Sequence, residues 1–504
     1  MRFFNKERIF NKEQKNIYSP LKMTRELQKL GEKRDRAGVA AAYAGVLLMV
    51  CCLGLLYRLK PIFLGIAALY WLISVPQLIM TWKRGAFEEK RFADVNAYMT
   101  QMGQSFQKSG SIPKALRETM DTFLPGRMQE HIDQALEHMN THMKEDVRRA
   151  EQEALAILEG GYECEKLRRF HSFLITAEMR GGDCGREFSL LERDRDIWEK
   201  AVGKYHAQMK FTRNGVTAQY VFLMLICVYL LSKFPDYISI IDTGAVQLVN
   251  MLQIICLGMV FKHVDRRTAR SLLQREKKMT AQKAEKLLED LEHYDGKKEF
   301  IRDLPFVVLC VGIAAVMFVI GRNTVTAVLG ILLVVGMAER HRLRYEIRQS
   351  RVRSEIAARF PEWMFDMLLL LQKESVPAAV LKSVRNAPPI MQKELGRISG
   401  MLAGDPGSAD AFLSFFAGFG IPGVENSMRR LYALNVGCGG RKELDLVIDS
   451  VMEMLAEQER RALKNKGDMT ALYAYLPSVP VAVSLMVYCV ILLMKVIQNI
   501  MSLV

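Results

Sequence analysis

The apolar positions of this chain gather into long runs, and the charged ones fill equally long stretches between them. About 18 or more apolar residues wound as a helix cover the roughly 30 Å of a bilayer's hydrocarbon. The first such run is Ala37–Tyr57. After a tight Arg58-Leu59-Lys60 turn, Pro61 opens the second, which ends near Trp82 and carries Pro76 as a potential kink. The third and fourth are Gly215–Ser232 and Gly244–Phe261. The fifth and sixth are Leu304–Gly321 and Arg322–Met337, the sixth being short for a crossing. The last is about Leu472–Met494.

The polar stretches carry the helical period. Phe92, Val95, Met99, Met102 and Phe106 recur at helical spacing, as do Phe360, Met364, Met367 and Leu371. These methionine-rich faces are expected in a core rather than in a binding groove. Between the fourth and fifth runs, His263 to Asp303 is predicted as one charged helix. Leu272, Met279, Ala284, Leu287 and Leu291 lie close to one face of it. The expected fold is all-α, a multispan membrane protein with two cytoplasmic antiparallel helical bundles. Its parts are a basic segment 1–36, a membrane hairpin 37–82 and bundle one at 83–213. A span pair 214–262, a connector helix 263–303 and a second hairpin 304–337 follow, then bundle two at 338–470 and a last span 471–496.

Charge sets the orientation. Of a formal net charge of +15, most lies in the N-terminal segment, both polar domains and the connector. The positive-inside rule puts these in the cytoplasm, with the compact Arg58/Lys60 turn a mild exception. Anionic lipid explains the basic excess, the connector being one place where it would be met, and no aromatic-rich basic motif argues for nucleic acid. The long charged opening is not the pattern of a cleavable signal peptide. Six of the nine cysteines fall in apolar runs. The others, Cys164, Cys184 and Cys438, are scattered and form no CxxC, so neither a disulfide framework nor a zinc site is expected.

Candidate chemistry is sparse. There is no P-loop, GxGxxG, HExxH or GxSxG motif, so no catalytic residue, cofactor or enzymatic activity is expected. His138 and His142 stand four apart with His131 one heptad earlier, and the expectation is a solvated helix face rather than a metal site. Polar residues within the spans are few: Gln77, Gln219, Gln247 and Gln253. That scarcity weighs against the alternative of a transporter or exporter component with regulatory cytoplasmic domains.

The two polar domains share landmarks. Gln107-Lys108-Ser109-Gly110-Ser111-Ile112-Pro113-Lys114-Ala115 parallels Gln372-Lys373-Glu374-Ser375-Val376-Pro377-Ala378-Ala379, a Ser-x-Pro unit starting a helix in each. Pro125 to Glu130 matches Pro389 to Glu394, and Ala177–Gly181 matches Ala433–Gly437. A long helix follows from Glu187 in one and from Glu443 in the other.

This punctuation, with Glu178-x-x-Gly181-Gly182 before a long charged helix running into a span, resembles the inner-membrane platform family of type II secretion (its F proteins) and type IV pili. The hairpin-before-domain layout is most similar to the Tad-pilus platform members. Two departures stand out: Gly110 is replaced around Glu374, and Glu178 by Asn435. The resemblance implies an inner-membrane scaffold that oligomerises with other platform proteins. It would couple a separate cytoplasmic assembly ATPase to the extraction of pilin or pseudopilin subunits. The candidate partner interface is Glu178, Gly181, Gly182, Arg186 and Glu187, with Asn435, Gly437 and Glu443 as the counterparts. Ordinary capping and i,i+4 pairing is the plainer reading of the same residues.

Overall fold

A computed structural model describes residues 36–142, 146–182, 184–233, 240–268, 273, 280–321, 324–437, 440–471 and 478–501. The basic segment 1–35, Leu272, Met279, Cys438 and the start of the last predicted span lie outside the described residues. Eighteen α-helices and no strand occur among the described residues, and the chain is an all-α multispan membrane protein. Five of those helices are long and apolar enough to cross a membrane.

The chain divides into two compact units. The first is Met1–Asp183, Trp198–Arg275 and Arg460–Val504, and the second is Cys184–Ile197 and Glu276–Glu459.

In the first unit, α1 (Arg36–Leu56) and the start of α2 (Pro61–Ser109) form a hairpin. Its turn holds Arg58 in the left-handed region, φ 45°, and Pro61 sits where its missing N–H costs nothing. The second half of α7 (Gly185–Ser232), α8 (Gly244–Thr268) and α18 (Ser478–Met501) complete the apolar bundle. Trp71, Tyr220, Met224, Ile254 and Leu257 share its core. The hydroxyls of Tyr57 and Tyr220 donate to the carbonyls of Met224 and Gln253, and Trp71 Nε1 donates to that of Ile254. Pro76 does not end α2, which runs unbroken for 49 residues, about 73 Å of helix.

The polar half of α2 carries the first bundle with α3 (Ile112–Thr122), α4 (Arg127–His142), α5 (Val147–Tyr162) and α6 (Glu165–Arg180). Val95, Tyr98, Met102 and Phe106 are buried, so the methionine face is core. Gly110 closes α2 at φ 63°, a left-handed cap that glycine adopts without strain.

The second unit holds α9 (Ala281–Glu292), α10 (Gly296–Gly321), α11 (Thr324–Ala338) and α12 (Arg340–Leu371), then α13 (Val376–Ser383), α14 (Pro389–Gly404), α15 (Ala409–Leu413), α16 (Pro422–Asn435) and the start of α17 (Gly440–Ala471). Helices α10 and α11 pack as the expected hairpin with exposed apolar faces, including Val308, Leu309, Ile331 and Leu332. At 15 residues α11 is only about 22 Å long, short of a full crossing. Phe360, Trp363, Phe412 and Phe415 form an aromatic core, and Trp363 Nε1 donates to Ser383 Oγ at 3.0 Å.

One expectation is corrected. The stretch His263–Asp303 is not a single helix. Its described parts are the end of α8, the separate α9 and the beginning of α10, broken at His293–Asp295. Asp295 breaks the run by accepting from the Lys297 backbone N–H, a local bond that competes with helix continuation. Helix α9 lies on α12 and α14 with Ala284 buried, and Glu292 pairs with Lys393 at 2.8 Å. In the described part of the apolar strip, Ala284 is buried and Leu287 and Leu291 are half-buried.

Candidate functional site

The candidate interface residues divide between the units. In the first, Glu178 is fixed by its surroundings. Its Oε1 accepts the backbone N–H of Ile112 at 3.0 Å, satisfying one of the orphan donors at the start of α3. Its Oε2 is buried without a hydrogen-bond partner. Close by, Glu151 on α5 is only 8% exposed. Burial, and then the charge of Glu178, push its carboxyl up to about 7, with Arg148 opposing. Gly181 and Gly182, at φ 63° and 84°, end α6 in conformations that disfavour side chains, and a Cβ at either would meet open space.

In the second unit Glu187 is buried and faces Lys373 Nζ at 3.5 Å, so it is spent on an internal ion pair. Arg186 is exposed. Asn435 Nδ2 donates to the carbonyl of Pro406 at 2.6 Å, tying the end of α16 to the preceding loop. Gly437 turns the chain at φ 79°, and Glu443 stands half-buried in the first turn of α17. Glu178, Glu187 and Asn435 thus each make a contact within the fold, while Gly181, Gly182 and Arg186 are exposed.

The histidines sort by surroundings. His138 and His142 stack at 4.4 Å, with His138 Nε2 3.5 Å from Glu153. Among the described residues no group of three or more His, Cys, Asp or Glu is placed to hold a metal ion. His131 packs edge-on to Tyr162 at 5.9 Å, and burial lowers its pKa. A Cβ at Gly161 would lie 2.6 Å from its Nε2.

A polar network centres on His171, which no motif in the sequence marks. His171 is 0% exposed. Its Nε2 is 3.1 Å from the Tyr98 hydroxyl, and its Nδ1 is 3.0 Å from Glu159, which also meets Arg168 at 3.4 Å. The pattern assigns the proton to Nδ1, donating to the carboxylate, while Nε2 accepts from Tyr98. Burial lowers the pKa of His171 despite Glu159. Nearby, Arg91 is 3% exposed. It donates to the Tyr162 carbonyl at 2.7 Å and to Glu88 at 3.1 Å, and Arg127 donates to the Gly161 carbonyl at 3.0 Å. Two guanidinium groups thus neutralise the carbonyl end of α5.

Among the apolar helices, the buried face of α8 carries Gln247, Asn250 and Gln253. Gln247 is saturated: it accepts from the Lys60 N–H at 2.8 Å and donates to the carbonyls of Arg58 and Ile241 at 3.0 and 2.9 Å. Asn250 Oδ1 takes the Tyr488 hydroxyl, leaving Nδ2 unpaired, and the amide of Gln253 lies beside the Cys227 thiol without a full hydrogen bond. Gln219, by contrast, is exposed.

The fold and these sites define a class: an α-helical integral membrane protein bearing polar helical bundles. Comparison with protein-family models, with curated proteins and with solved structures found no match.

Proposed function

We propose that this chain is a platform protein of a type II secretion or Tad-like type IV pilus assembly machine, seated in the cell inner membrane with both bundles in the cytoplasm. The carrying observation is the continuity of α2. It passes without a break between an apolar half and a polar half, over 49 residues. Such a helix binds a cytoplasmic bundle to a membrane bundle mechanically, which is what a scaffold between an assembly ATPase and membrane-held pilin subunits requires. The repeated order of helices supports a duplicated domain. The helices α3, α4, α6 and the start of α7 match α13, α14, α16 and the start of α17, with α15 and a short 3₁₀ turn in place of α5.

The test inserts Gly-Gly-Ser between Ala86 and Phe87, which breaks α2 below the membrane. Pilus assembly or secretion is expected to fall by an order of magnitude while the ATPase still co-purifies. Normal assembly with the interrupted helix sinks the proposal.

A second reading, a transporter component, is favoured by one observation, the buried amides of Asn250 and Gln253 at membrane depth. Solute or ion flux in liposomes that is abolished by N250L/Q253L would establish it.

A further inference from the structure

Three helices change from apolar to polar at one level of the first unit: α2 at Trp82-Lys83, α7 at Arg213-Asn214 and α8 at Phe261-Lys262. They enclose a groove of about 840 Å³ at that junction, within the range of sites for small molecules. Its wall is apolar, formed by Ile79, Val221, Phe222 and Phe261, with Ala218 also lining it. Its rim is polar. Arg213 Nη1 stands 3.5 Å from Asp265 Oδ1, and both residues line the groove. Trp82 lies on the same rim, 60% exposed, where an indole suits the boundary between hydrocarbon and headgroups. Next to these lining residues in the sequence stand Lys83, Arg84, Lys210, Lys262 and Arg266.

We propose that this groove binds one anionic glycerophospholipid, its acyl chain along the Phe222 wall and its phosphate at Arg213. An apolar slot with an arginine on its rim and basic residues flanking it in sequence, at a bilayer boundary, matches that ligand. A partner's membrane helix would need no such rim. Arginine also suits phosphate better than lysine, because its planar fork offers paired donors.

The experiment uses the full-length protein in nanodiscs doped with dibrominated phosphatidylglycerol or phosphatidylcholine, which quench a tryptophan in contact with their chains. The difference between the protein and its W82F variant isolates the Trp82 signal. Phosphatidylglycerol is expected to quench Trp82 at several-fold lower mole fraction than phosphatidylcholine. Ala218→Phe, which fills the groove from an exposed position, should abolish that preference. The double variant R213Q/D265N, which removes both charges together, should reduce it at least threefold while leaving phosphatidylcholine quenching unchanged. Equal quenching by the two lipids, or a preference that survives both variants, overturns the proposal. So does relief of quenching by millimolar inorganic phosphate alone, or by a co-purifying membrane peptide whose removal restores it.

Discussion

Glu151 destabilises the bundle that contains it, and its replacement by glutamine should stabilise the protein in a pH-dependent way. Burial and the neighbouring Glu178 raise its carboxyl from 4.5 to about 7. The folded state therefore holds the proton more tightly than the unfolded chain. The cost is fully present above about pH 7 and fades as the pH falls toward 4.5. Taken in full, the shift corresponds to about 3.3 kcal/mol at pH 8 and about 0.8 kcal/mol at pH 5. Solvent reaching the carboxyl roughly halves both, to about 1.7 and 0.4 kcal/mol. Glutamine keeps the shape and removes the charge, so E151Q should gain about those amounts. The assay is the thermal midpoint of the full-length protein in nanodiscs, with pulse proteolysis between α4 and α6 to report on this bundle. A rise of about 2 °C at pH 8 with little change at pH 5 is expected. An equal shift at both values, or a fall at pH 8, refutes the assignment of a strained carboxyl pair.

The remaining predictions concern the same bundle. In the E151Q background, acidification should lower stability, because burial holds the His171 pKa below 6.5. The unfolded chain then binds the extra proton, and stability is lost as the pH falls through 6.5; a midpoint flat between pH 7.5 and 5 counts against this. Tyr98→Phe should cost about 1–2 kcal/mol at pH 7.5, since Nε2 of His171 loses its donor while ring packing is kept; chemical denaturation read by proteolysis measures it. Arg91→Met should cost about 3 kcal/mol by leaving the Tyr162 carbonyl and Glu88 without their buried partner, visible as faster cleavage within α5. Gly161→Ala should cost about 1–3 kcal/mol through contact with His131, and G161A/H131A should recover part of it, a non-additivity that an independent pair would lack.

The all-α multispan fold could be read from the sequence, because apolar runs and helical spacing leave few alternatives; of the seven expected spans, five correspond to described helices long and apolar enough to cross a membrane. The site is less legible. Glu178 stands out in the sequence for its place before two glycines, yet its bond to Ile112 crosses 66 residues and no local pattern encodes it. Glu151 and His171 did carry a signal. Glu151 shares the apolar face of Ala154, Leu155 and Leu158, and His171 that of Leu167, Phe170 and Leu174. Asn250 sits likewise between Val246 and Ile254 on the buried side of α8. A polar residue where the period calls for an apolar one marks a buried network. The break at His293–Asp295 also carried a signal, the turn-forming pair Asp295-Gly296 inside an otherwise helix-favouring charged run.

The jointless passage of α2 through the boundary at Trp82 makes it a lever. Its arm beyond Trp82 is 27 residues, about 40 Å. A tilt of about 5° at the boundary therefore moves the Gly110 end by about 3.5 Å, more than half a helical turn. The angle at which the bilayer holds the apolar half sets the position of the α2–α3 corner, so bilayer thickness and bundle position are one mechanical variable.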